Sequence, residues 1–69
     1  MLVKRSIALS GHRTSIALEA EFWAALEAIA GRNGGSLASP ITEVDGARNS
    51  ATPLASALRV FALRKAAET

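Results

Sequence analysis

Cysteine is absent from this 69-residue chain and histidine occurs once, so neither a disulfide framework nor a Cys/His zinc site is available to hold it together. A chain this short hides only about 60% of the surface its unfolded form exposes. With both staples excluded, oligomerisation is the route left to a stable fold. Long apolar runs are also missing. None approaches the roughly 18 residues that cross a bilayer, and the N-terminus lacks the pattern of a secretion signal, so a cytoplasmic protein without membrane contact is expected. Catalytic constellations are missing as well. His12 has no second His or Cys to share a metal with, no carboxylate pair flanks Ser10-Gly11-His12, and no phosphate-loop or dinucleotide glycine pattern occurs. No enzyme activity and no cofactor are expected, and His12 reads as a turn residue.

Apolar residues nonetheless make up 49% of the sequence, too many for a disordered chain, although alanine supplies much of that share and buries little area per residue. The net charge is only +2, but it is unevenly spread. Lys4, Arg5, His12 and Arg13 fall within residues 1–18, which hold no acid, whereas Glu19, Glu21 and Glu27 follow with no base among them. A second basic group, Arg59, Arg64 and Lys65, lies near the C-terminus. Blocks of this size are ordinary solvated surface unless a site gives them a partner.

The clearest internal pattern is a near-repeat: Ser6-Ile7-Ala8-Leu9 returns as Ser15-Ile16-Ala17-Leu18. Side chains of period two put Ile and Leu on one face of each copy and Ser and Ala on the other, predicting half-buried strands over about 3–9 and 13–18. Ser10-Gly11-His12 between them has the chemistry of a reversing turn. A lone two-stranded hairpin is weak in water, so strand partners in a second chain are expected.

From Glu19 the period becomes that of a helix, with Phe22, Leu26 and Ile29 on one face and Glu19 and Glu21 in the first turn, predicting a helix over about 19–31. Arg32 to Gly35 ends it, with Asn33 or Gly34 able to close it in the left-handed conformation. Leu37, Ile41 and Val44 mark a second helix over about 37–47. Its cap is open between Ser36 and Ser39, since Pro40 is favoured at a first helical position but loses a bond a turn further in. Thr52-Pro53 opens a third helix over about 53–67, on which Leu54, Leu58 and Phe61 share one face while Val60 and Leu63 point the other way. Either this helix covers a small core and leaves some apolar side chains exposed, or its second side meets another subunit. The core is expected to contain Ile16, Leu18, Phe22, Leu26, Ile29, Leu37, Ile41 and Val44, with Trp23 filling its edge or a subunit seam.

Strand into helix, then Asn33-Gly34-Gly35-Ser36-Leu37, then a second helix: this order resembles the Arc/MetJ-like ribbon-helix-helix superfamily. The wider set Lys4-Arg5-Ser6, Ser10 to Ser15, Glu21-Phe22-Trp23 and Ala57-Leu58-Arg59-Val60-Phe61 is similar to a bacterial subgroup of short ribbon-helix-helix domains with an extra C-terminal helix. That resemblance implies a mainly α fold with a short N-terminal β-ribbon, one domain over 1–69, built as an intertwined homodimer in which strands of two chains pair antiparallel. It implies a DNA-binding transcription regulator whose outward strand residues, Arg13, Ser15 and Ala17, contact bases while Thr14, Ile16 and Leu18 face the core. It also implies phosphate contacts at the second helix's N-terminus, through Ser36, Leu37 and Ala38. Lys4 and Arg5, in the acid-free first 18 residues, are further phosphate candidates. The alternative is an antitoxin-like or protein-interaction module that dimerises and binds a protein partner through the third helix.

Overall fold

The computed structural model describes residues 1–68. Two strands, β1 (Leu2–Leu9) and β2 (His12–Glu19), lead into three helices, α1 (Ala20–Arg32), α2 (Ala38–Ala47) and α3 (Leu54–Ala67). The strands form an antiparallel pair within the one chain, in the register Ser6↔Ser15, which sets the two halves of the near-repeat directly against each other. Ser10 and Gly11 alone reverse the chain between the two strands. Gly11 makes that possible with φ +78, in the left-handed region that side-chain-bearing residues avoid. No atom would obstruct a Cβ there, so the obstacle to substitution is backbone conformation alone. Gly11→Ala should therefore cost about 1–2 kcal/mol, read as a lower denaturation midpoint at unchanged m-value.

The hairpin cannot stand alone, and the helices supply what it lacks by covering one of its faces. α2 packs on β1, α3 on β2, and α1 continues directly from β2 beneath both. The alternation read from sequence holds on β2, where Ile16 and Leu18 are buried and Arg13 and Ser15 are exposed. Leu18, Trp23, Leu26, Ile41 and Leu58 are the largest fully buried side chains, one each from β2, α2 and α3 and two from α1. A single chain thus encloses a core of its own.

On α1 the buried face differs from expectation. Trp23, not Phe22, is the buried aromatic of α1: its ring lies under β1 and its Nε1 donates to the Val3 carbonyl at 2.7 Å, while Phe22 is half-buried, turned toward Arg59 of α3. The indole wins because it fills the space under the sheet and also satisfies its own donor. On α3, Leu58 and Ala62 are buried but Val60 is 48% and Leu63 69% exposed, so within one chain the helix is covered from one side only. Leu37 is likewise half-buried.

Local chemistry accounts for the helix ends. α1 closes where Gly34 takes φ +66, its amide donating to the Gly31 carbonyl and that of Gly35 to the Ala30 carbonyl, the paired bonds of a Schellman cap. α2 starts after Leu37, and Pro40 falls among the first residues of the helix, whose amides have no intrahelical acceptor, so its missing N–H costs no bond. Pro53 is itself the cap residue of α3, extended at ψ 146, with its carbonyl accepting the Ala57 amide at 3.1 Å. Arg48 ties the α2–α3 connection, donating to Asp45 Oδ1 at 3.0 Å and to the Thr52 carbonyl at 2.8 Å.

Candidate nucleic-acid interface

All three helices lie on one side of the hairpin, and its other face is bare. Cross-strand pairing places Lys4 beside Ala17, Ser6 beside Ser15, and Ala8 beside Arg13 on that face. Lys4, Ser6, Ala8, Arg13 and Ser15 are exposed and Ala17 is half-buried. Small side chains keep the surface low. Lys4 and Arg13 rise from it, both cationic, and the pair Leu2 and Glu19 closes its far end. The sequence-derived strand residues Arg13, Ser15 and Ala17 therefore do stand together, and with them stands a residue that sequence reading passed over. Ser6 accepts a hydrogen bond from Arg13 Nη1 at 3.2 Å. The signal for it was the near-repeat itself: once Ser10-Gly11 folds the chain back on itself, Ser6 has to face Ser15.

Arg5 is placed differently from Lys4. It pairs with Ile16 in the register, so it points to the helical side, where its guanidinium lies 4.8 Å from the Trp23 ring centroid and Nη1 donates to Glu27 Oε2 at 3.2 Å. Period two separates the two neighbours: one belongs to the bare face, the other clamps α1 to the sheet.

Ser36, Leu37 and Ala38 sit at the start of α2, with Ser36 exposed. The Ser39 amide is already taken by the Ser36 carbonyl at 3.1 Å, and Pro40 has none, which leaves the Leu37 and Ala38 amides as the backbone donors of this terminus. No side chain caps it.

At the far end of the outward face stands Glu19, the residue where β2 becomes α1. Arg59 of α3 donates to its Oε1 at 2.9 Å, and this bond, helped by the backbone amide of Glu19, holds the carboxyl below the ordinary glutamate value. The acid nearest the ribbon is thereby neutralised by a base from another helix. A carboxylate with a depressed folded pKa contributes its stability above the unfolded value, 4.5, and loses it as pH falls through the lower folded value. Wild type should therefore lose stability on acidification through that window more steeply than Glu19→Gln, and the gap between their melting temperatures should close at the acid end.

Outside the ribbon, α2 and α3 flank a groove of about 310 Å³ lined by Val44, Ala57, Val60 and Phe61, with Glu43 and Arg64 at its rim. Among the described residues no group of three or more His, Asp or Glu side chains is disposed to hold a metal, and no helix is long and apolar enough to cross a membrane. His12 Nδ1 lies 3.2 Å from the Ser10 carbonyl, within the turn.

A two-stranded ribbon with one polar, cationic face and one face buried on helices defines the class of small β-ribbon modules backed by a helical layer. The chain belongs to the ribbon-helix-helix domain family, whose profile matches residues 2–66. Members of that family typically dimerise and bind DNA, and are commonly transcription regulators or antitoxins. No curated protein and no solved structure matches the chain.

Proposed function

We propose that this chain is a DNA-binding transcription regulator, acting as a homodimer, that lays the outward face of its ribbon in the major groove. What supports this reading is the bare face itself, where the small side chains of Ser6, Ala8, Ser15 and Ala17 leave Arg13 and Lys4 standing above it and no helix packs over it. In this reading Arg13 makes a bidentate contact to guanine, Ser15 bonds to base edges, and Ala17 packs on a thymine methyl. Lys4 holds phosphate from the ribbon, and the Ser36 hydroxyl with the Leu37 and Ala38 amides holds it from the α2 terminus, where the helix dipole favours an anion. Arg5, engaged by Glu27 and Trp23, serves the scaffold instead.

Selection from a random duplex library tests this directly. The expected result is enrichment of one sequence, bound with an affinity that falls steeply with salt as counterions are released. No enrichment, or salt-indifferent binding, would count against it. The dimer is tested separately by heating: if folding and association are one event, the melting temperature should rise with protein concentration.

A specific observation favours a second reading, in which α3 binds a protein partner: Val60 and Leu63 are exposed apolar side chains on its outer side. Val60→Asp with Leu63→Asp should then abolish binding of a stoichiometric partner that co-purifies from the native host while leaving DNA affinity unchanged.

A further inference from the structure

One stripe of α3 is left uncovered. Ser56, Val60, Leu63 and Ala67 are all exposed, and along the helix they recur at intervals of four, three and four residues. That is the spacing of a coiled-coil seam, which keeps one narrow face of a helix toward a partner helix. Beside the stripe runs the α2–α3 groove of about 310 Å³, with Val60 in its wall together with Val44, Ala57 and Phe61. An apolar cavity of about 150 Å³ takes up benzene, so this groove has room for a leucine-sized side chain.

The charges around the stripe are of one sign. With Val60 and Leu63 as seam residues, Arg59 and Arg64 are the flanking positions, and α3 holds a third cation, Lys65, but no acid. Arg59 is engaged by Glu19 at 2.9 Å and Lys65 by Glu68 at 3.7 Å. Arg64, exposed at the groove's rim, forms no ion pair among the described residues. A second α3 would bring no acid to meet it. In parallel pairing it would set Arg59 of one copy opposite Arg64 of the other, the like-charge arrangement by which coiled coils reject a partner.

Resting on the second reading above, that α3 binds a protein partner, we infer that the partner offers an acidic amphipathic helix. Its leucine-type side chains cover Val60 and Leu63 and enter the groove, and a glutamate or aspartate on its flank pairs with Arg64. Helices laid in grooves are held by apolar anchors about one turn apart, while flanking charges choose the partner and its direction. Glu43, exposed on the α2 rim, disfavours a helix that is acidic on both flanks.

The test titrates the full-length chain with two synthetic three-heptad peptides. Both carry leucine at every seam position and glutamine elsewhere, except along one flank, which is glutamate in one peptide and lysine in the other. The glutamate peptide should shift the methyl resonances of Val44, Val60 and Leu63 saturably. It should bind about two- to twentyfold tighter than the lysine peptide, the effect of one exposed ion pair gained and one like-charge contact avoided. Arg64→Glu should reverse that preference, an outcome that apolar adhesion alone does not produce. Leu63→Ala, at an exposed position where folding is not at stake, should weaken both peptides alike. Absence of binding at these methyl groups, or a preference indifferent to Arg64→Glu, would overturn the acidic-helix inference. In that event, loss of a co-purifying partner on Val60→Asp with Leu63→Asp would show that the protein-partner reading survives, and retention of every partner would end both. Concentration-dependent shifts of the same resonances without peptide would assign the stripe to a second copy and overturn the inference too.

Discussion

Trp23→Ala should remove most of the stability of this fold. The indole is 1% exposed, under β1, and its Nε1 donates to the Val3 carbonyl at 2.7 Å while Arg5 stacks over its outer face at 4.8 Å. Large-to-small replacement of a buried aromatic costs about 3–5 kcal/mol. Whole domains are stable by only about 5–15 kcal/mol, and short chains lie toward the low end. The expected readout is a denaturation midpoint reduced by more than half. Trp23→Phe separates the two contributions: the ring remains, the donor is lost, and a cost of about 1–3 kcal/mol is expected for the carbonyl left without its partner. An alanine variant that melts with wild type would show that α1 does not anchor β1 through this residue. Leu26→Ala, on the same buried face, should cost about 2–5 kcal/mol and serves as the comparison.

Under the proposed function, Arg13→Ala should have the largest effect on binding. Each lost guanine contact costs about 1–3 kcal/mol, and in a homodimer the loss falls in both half-sites at once, so affinity for the preferred duplex should drop by several orders of magnitude at the upper end of that range. Non-specific binding should weaken far less, by the single charge removed. Specificity should therefore collapse toward the non-specific level. Ser36→Ala should behave in the opposite way, weakening all sequences alike, because a phosphate contact carries no sequence information. Titrations on the enriched duplex and on a scrambled one at two salt concentrations separate the two behaviours. Equal loss on both duplexes for Arg13→Ala would move Arg13 from base reading to phosphate holding.

Much of this was legible in the chain before any coordinates. Period two over Thr14 to Leu18 gave both faces of β2, because in a strand the direction of a side chain is set by its count from its neighbour. The stop of α1 at Asn33-Gly34 was legible because left-handed φ is a local property of glycine. The resemblance carried the family, and Arg13, Ser15 and Ala17 were found on one bare face as the alternation required.

Other features depended on distances that local periodicity does not encode. Phe22 and Trp23 are adjacent on a helix, 100° apart, and either could have faced the sheet; the Val3 carbonyl, brought beside the start of α1 by the pairing of Val3 with Leu18, selected Trp23. Lys4 and Arg5 were equivalent as basic residues until the register placed one on the bare face and the other over Trp23. The partner of each strand was also decided in three dimensions. The sequence by itself determined that there would be two alternating strands, three amphipathic helices and a basic, acid-free start. Only the tertiary structure decided that the strands close on each other, that Ser6 meets Arg13, and that Arg59 neutralises Glu19 from forty residues away, because each of these depends on where the turn at Gly11 and the helical layer bring distant residues together.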